Sequence, residues 1–336
     1  MVRLIMKKFS SLRIYALIAF SFLFLFPLSC NQKVGVIEGY KVDFYIRPST
    51  FVPSDFSLQP SLVIMGDGYR ETDFGVFERD AKNLVDHLFS VSPFSEALFP
   101  YYFNIFLIFL NSQERGIGFG SAKNTALRCY FYNDNEIFFD DVNFFGGRKA
   151  PNPFDVAQQY ISNLNMSSSV VVVLVNDSHI GYTTSFKNIE PYDNWISIIS
   201  VPDNSDDFKR LVLREVGGKA FAHLAQEDSY YGSQSQLMMN LMTTQLGYFS
   251  NIDFTDNPNQ IKWGHFLKNK LTYPEIGIHH IGNGVYRPNN NNVMMSSGML
   301  EYDAPSREAI IKRIYQIHHW DYTDATFRYY FLDNKL

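Results

Sequence analysis

From Ser205 to Glu227 the chain carries an apolar stripe at helical spacing that loses its phase midway. Phe208, Leu211, Val212 and Val216 fall on one face of a helix, and Phe221 and Leu224 resume the pattern. The step from Val216 to Phe221 is five residues, and Gly217-Gly218 lies inside it. A continuous helix absorbs such an extra residue as a bulge or a kink, so the segment predicts a locally distorted helix. Ser205, followed by Asp206 and Asp207, is the expected N-terminal cap, with the two acids well placed in the first turn.

The polar residues on this helix sit where zinc chemistry would place different ones. A catalytic zinc takes three lone-pair ligands, keeps a position for water and has a glutamate nearby as general base. In a His-Glu-x-x-His helix the two histidines are ligands and the glutamate between them is the base. Here Glu215 holds the base position, but Arg214 precedes it and Lys219 follows. Arginine has no lone pair to give, and lysine has one only after losing its proton. On a regular helix Arg214 and Lys219 would lie about 140° apart, at roughly 100° per residue, so ligands at these places would need the distortion. Glu215 and Lys219 are also an ordinary i,i+4 ion pair, so a structural role stands beside the catalytic one.

With these residues in view, Leu211 to Glu227 resembles the IgA-peptidase family of bacterial zinc metallopeptidases, in the branch with His-Glu-x-Gly-Gly-His. Glu215, Gly217, Gly218, Phe221, Leu224, Ala225 and Glu227 match its motif. Arg214 and Lys219 fall on the two histidines and Gln226 on an aspartate, so the resemblance implies that the family's ligands are substituted. Leu62 to Tyr69, Ser92 to Phe94, Phe103 to Ile105 and Val170 to Asn176 resemble further family segments in the same order. So do Trp263 to Leu267, Glu275 to Ile278, Gly284 to Pro288, Val293-Met294 and Ala304 to Glu308, extending the likeness over about residues 60 to 316. His279-His280 stands where the family suggests Tyr-Glu.

The N-terminus reads as an export signal. Arg3, Lys7, Lys8 and Arg13 form a basic leader, and Ile14 to Leu28 is an apolar run too short for a typical membrane span. Pro27-Leu28-Ser29-Cys30 resembles a lipobox, which implies lipidation of Cys30 and a membrane-anchored lipoprotein of a bacterial envelope; simple secretion is the alternative. Removing the four basic residues from 29 leaves 25 against 34 acidic, a charge of −9 that disfavours nucleic acid as partner. Cys129 would then be the sole thiol, a buried small residue rather than a nucleophile.

The expected organisation is a signal peptide over 1–29, a lead over 30–60, a peptidase-like domain over 61–320 and a tail over 321–336. Strands are expected near Val42 to Ile46 and at Leu62 to Met65, Tyr102 to Leu110, Ser169 to Val175 and Trp195 to Val201. Beside the motif helix, helices are expected at Asp73 to Phe89, Phe154 to Leu164, Gln234 to Leu246, Trp263 to Lys268 and Ser306 to Ile317, with residues 111–150 as loops around a cleft. This alternation predicts an α/β fold; the resemblance makes it zincin-like, a mixed sheet with the motif helix packed on it and a helical C-terminal part.

Three functions are compatible with these residues. The first is a lipid-anchored homologue that has lost zinc-dependent hydrolysis and binds or scaffolds a protein or peptide, with no cofactor and Glu215 vestigial. The second is an active metallopeptidase with Glu215 as base and zinc on unfamiliar ligands such as His223, Glu227 or His279. The third is a surface lipoprotein that binds glycan or protein through its aromatic residues. Arg287 is a candidate for holding a substrate carboxylate, and Asp67 is expected to cap a turn.

Overall fold

A computed structural model describes residues 40–43, 59–96, 99–139, 150–161, 163–189, 192–227, 247–269 and 272–333. All of them belong to one compact unit, Gly35–Leu336. The expected signal peptide, Cys30 and the helix expected over Gln234 to Leu246 lie outside the described residues.

Three seven-residue apolar runs form the centre of the main sheet. They are β2 (Ser61–Asp67), β3 (Asn104–Leu110) and β7 (Ser169–Val175), and every residue in them is buried. Continuous burial without alternation means that both faces are covered, as parallel strands require. The sheet runs β1-β3-β2-β7-β9-β8, where β1 is Tyr40–Asp43, β8 is Tyr182–Ile189 and β9 is Tyr192–Ser200. β2 pairs in parallel with β3 and β7, and β7 with β9; both edge strands, β1 and β8, are antiparallel to their neighbours. The chain therefore has a mixed α/β architecture built on a mixed sheet.

On one face of the sheet, Leu62, Ile64, Ile105, Leu107, Val170, Val172 and Leu174 share a core with two helices. Helix α1 (Phe74–Leu88) contributes Phe77, Ala81, Leu84 and Leu88, at the spacing read from its sequence. Helix α2 (Pro153–Tyr160) begins at Asn152, whose side chain accepts from the Phe154 amide, with Pro153 as first residue. The second core helix is the motif segment. It starts as an α-helix, α3 (Ser205–Leu211), and continues without a break as a π-helix over Val212–Phe221. Its cap is Asn204, not Ser205: the Asn204 Oδ1 accepts from the Asp206 and Asp207 amides, and Ser205 is the first helical residue.

Within residues 111–139, strands stand where loops are expected. Gly118–Phe119 (β4), Cys129–Phe131 (β5) and Ile137–Phe139 (β6) form a small three-stranded sheet. Asp67 holds it in place. That carboxylate is fully buried and accepts from the Leu127 and Cys129 amides (2.9 and 2.8 Å) and from Thr125 Oγ1 (3.0 Å). Asp67 therefore ties the end of β2 to a distant loop, a larger role than the expected turn cap. Cys129 is a buried free thiol.

Beyond the motif, β10 (His279–Gly282) and β11 (Val285–Arg287) form a hairpin, and α4 (Ala304–Ile317) packs Ile310, Ile311 and Ile314 into the core. The segment expected as a tail is partly structural: Phe331 is fully buried, and Tyr273 donates to its carbonyl at 2.6 Å.

Candidate functional site

The five-residue step in the motif is resolved by π geometry. Hydrogen bonds from residue i+5 to i, such as the Ala222 amide to the Gly217 carbonyl at 3.2 Å, widen the turn. Residues five apart then stand one above the other, so Arg214 and Lys219 share a face. Side chains take up backbone carbonyls along the widened segment. Tyr302 Oη donates to the Leu213 carbonyl, and Thr184 Oγ1 lies 3.3 Å from that of Glu215.

The two glycines are required by what presses on them. A Cβ at Gly217 would meet Tyr302 Oη and come within 2.9 Å of Leu88 Cδ1, while one at Gly218 would run into Met294. Gly217-Gly218 thus lets the π-helix lie directly against α1 and the segment around Met294.

Glu215 sits at the centre, with no exposed surface. Its Oε1 accepts from Arg214 Nε and from Lys219 Nζ, each at 2.9 Å, and its Oε2 accepts from Thr184 Oγ1 at 2.7 Å. Lys219 Nζ also donates to Gln226 Oε1 at 2.9 Å. Below both cations lies Tyr182, its ring centroid 4.6 Å from the Arg214 guanidinium carbon and 5.4 Å from Lys219 Nζ. Tyr182 and Thr184 reach the helix together because they are two apart on the edge strand β8. The structure thus gathers Arg214, Glu215, Lys219 and Gln226 into one cluster, and adds Tyr182 and Thr184 from a strand that the sequence reading missed.

Burial pushes the Glu215 carboxyl up, but Lys219 and Arg214, with the hydrogen bonds from Lys219 and Thr184, hold it below its usual value. An ionised carboxylate saturated by three donors is a poor acceptor for a proton from water. A general base works best with a pKa near the operating pH, which is the reverse of this shift.

The remaining candidates are placed apart from this cluster chemically. His223 follows the π-helix with φ 56° and stacks on Trp195 at 4.6 Å, with Tyr248 edge-on at 4.4 Å. Burial, and then Arg313, lower its pKa well below the usual histidine value, so the ring is neutral. Glu227 is fully buried; Asn251 Nδ2 donates to its Oε1 at 2.9 Å and Asn292 Nδ2 to its Oε2 at 2.8 Å. The same Asn292 nitrogen reaches Asp303 Oδ2 at 3.0 Å, and burial followed by Asp303 raises the Glu227 carboxyl well above its usual value. Arg287 donates to the Glu227 carbonyl at 3.0 Å and to Asn290 Oδ1 at 3.0 and 3.2 Å, while Asn290 holds His279 Nδ1 at 2.8 Å. Arg287 and His279 therefore fasten the hairpin to the end of the motif. Among the described residues, no group of three or more His, Cys, Asp or Glu side chains is arranged to hold a metal ion.

The sequence model of IgA Peptidase M64 matches residues 53–276. The chain belongs to this family. The match contains the whole motif segment and the sheet strands β2 to β9, and ends before the Gly284 to Pro288 and Ala304 to Glu308 segments that also suggested it. No curated protein matches the chain. Membership sets a direct test of fit for the zinc that the resemblance implies. Arg214 has no lone pair, Lys219 is an ammonium held between two acceptors, and the Gln226 carbonyl oxygen already accepts from that ammonium. These residues do not fit a catalytic zinc.

Proposed function

We propose that this protein is a member of the IgA-peptidase family that keeps the fold, in its zincin-like form, without zinc-dependent peptide hydrolysis. It acts as a binding or scaffolding module for a protein or peptide. The carrying observation is the Lys219 ammonium, 2.9 Å from both Glu215 Oε1 and Gln226 Oε1. It supplies from within the chain a positive charge to the carboxylate that would otherwise activate water. Arg214 supplies a second, from the position of the other family histidine. The motif has become an internal ion-pair cluster, and its general base is consumed by it.

The N-terminal sequence supports a bacterial envelope location with lipid attachment at Cys30. Exposed Phe119, Tyr132 and Phe138 on the small sheet offer apolar contact area and favour a protein or glycan partner. Zinc hydrolysis through His223, Glu227 or His279 is the competing reading. It is disfavoured by the packing of His223 between aromatic rings and the engagement of Glu227 by two asparagines.

Hydrolysis of casein and of immunoglobulin by the purified protein, assayed with added zinc and with a chelator, tests the proposal. No cleavage beyond background is expected in either condition. Zinc-dependent cleavage abolished by Glu215→Gln would overturn it.

A further inference from the structure

At the carboxyl ends of the parallel strands lies a cavity of about 550 Å³ that the motif cluster does not use. The chain leaves β2 towards β3 on one side and leaves β7 towards β8 and β9 on the other, so the connections diverge between these two adjacent strands. In open α/β sheets such a divergence leaves a crevice where ligands bind, and this volume falls in the roughly 300–1,000 Å³ range of small-ligand pockets. One wall is α1; the others are Arg115 in the loop after β3, Asn176 and Asp177 after β7, and Asp203 after β9. Hydrogen bonds fix these loops to one another. The Gly116 amide and Asn176 Nδ2 each donate to the Gly68 carbonyl at 3.0 Å, and the Val201 amide donates to the Asp177 carbonyl at 3.0 Å. The walls are therefore formed before a ligand arrives, which lowers the ordering cost of binding.

The charged side chains of the crevice fall into two kinds. Asp80 is saturated from within the protein: its Oδ1 accepts from two Arg79 nitrogens at 3.0 and 2.8 Å, and its Oδ2 from Tyr69 Oη at 3.0 Å. His87 is neutral at pH 7, since burial and then Lys209 lower its pKa. Three others keep capacity for a ligand. Among the described residues, the Arg115 guanidinium and the Asp203 carboxylate make no hydrogen bond or ion pair, and Asp177 uses only its Oδ1, on the His179 amide at 3.0 Å.

We infer that this crevice binds a small zwitterion of the amino-acid or short-peptide type, with its carboxylate on Arg115 and its ammonium on Asp177 and Asp203. A guanidinium fork matches the two coplanar oxygens of a carboxylate, and the two acids match a cation. An inorganic anion would meet both acids, and a simple amine would leave the guanidinium unused. None of Arg214, Glu215 and Lys219 lines the crevice, so its ligand is independent of their chemistry. It adds a small-molecule site to the binding role proposed above and does not rest on that role.

Calorimetric titration of the full protein tests the inference. The probes are L-serine, diglycine and triglycine, each beside its C-terminal amide and its N-acetyl derivative, which carry one charge in place of two. Saturable binding of at least one zwitterion at millimolar concentration is expected, with each of its derivatives weaker by at least about tenfold for the lost charged contact. Arg115→Gln should weaken the zwitterion to the level of its amide, and Asp203→Asn should weaken it towards its N-acetyl form. Binding of serine alone assigns the site to free amino acids, and tighter binding of diglycine or triglycine assigns it to short peptides. No saturable binding of any zwitterion, a derivative that binds as tightly as its parent, or an unchanged affinity in Arg115→Gln would overturn the inference. Arg115 and Asp203 are exposed, so both variants are expected to fold, and the comparison of parent with derivative uses the unaltered protein.

Discussion

Replacing Glu215 by glutamine removes the negative charge to which Arg214 and Lys219 both donate. Glutamine keeps the shape, so the change leaves little cavity and acts through electrostatics. Breaking a buried ion pair by deleting one partner costs about 3–5 kcal/mol, because the other charge stays buried. Arg214 is 4% exposed and bears that cost nearly in full, while Lys219 at 17% can lean on Gln226 and water. A destabilisation of about 3 kcal/mol is therefore expected for Glu215→Gln. The assay is equilibrium urea unfolding at neutral pH, followed by the fluorescence of Trp195, Trp263 and Trp320. Adding Lys219→Met should recover part of the loss, since the double variant buries one cation fewer. A neutral or stabilising effect of Glu215→Gln would refute the reasoning; it is the behaviour of a residue kept for chemistry at the expense of stability.

The π-helix predicts that Gly217→Ala and Gly218→Ala each cost about 1–3 kcal/mol of overpacking, read by thermal unfolding, because their Cβ atoms would meet Tyr302, Leu88 or Met294. A cost near zero would mean that the segment can move away. The depressed Glu215 carboxyl adds stability that is present above its ordinary value of 4.5 and is lost as pH falls through the lower folded-state value. Glu227 acts in the opposite direction: its raised carboxyl adds stability fully present below about pH 4.5 and lost as pH rises towards its folded-state value. Unfolding free energy measured from pH 4 to 8 should therefore fall less steeply with rising pH in Glu227→Gln than in the parent; parallel curves would contradict the assignment. Asp67→Ala should cost about 2–3 kcal/mol, because the buried Leu127 and Cys129 amides lose their acceptor. An unfolding midpoint unchanged in urea would place the small sheet outside the cooperative core.

Much of the fold was legible where one physical signal dominated. The short, unbroken apolar runs Leu62 to Met65 and Val170 to Val175, the second almost all valine, read as buried strands, and the Phe77, Ala81, Leu84, Leu88 spacing reads as a helix face. The phase slip at Gly217-Gly218 announced the distortion, although its form as ten residues of π-helix came from packing against Tyr302 and Met294. Other elements left weaker marks. β8 opens with Tyr182-Thr183-Thr184-Ser185, β-prone but without apolar alternation, because its inward side chains meet a polar cluster rather than a core. The Asn283-Gly284 pair between β10 and β11 is a recognisable two-residue hairpin turn, with φ of 49° and 71°, that the sequence reading passed over. Arg214, Glu215, Lys219 and Gln226 were found as a set through the family motif. Their pairing depends on π geometry, and Asn292 and Asp303, the partners of Glu227, arrive from 65 residues or more away, beyond the reach of local pattern.

The central claim is that Lys219 and Arg214 have taken over the place of a metal. Its most direct test is the zinc content of the purified protein after incubation with excess zinc and removal of the unbound ion, measured beside the triple variant Arg214→His, Lys219→His, Gln226→Asp. The account predicts no stoichiometric zinc on the parent and a gain of zinc on the variant, whose two imidazoles would share one face of the π-helix. One zinc per chain on the parent would contradict it.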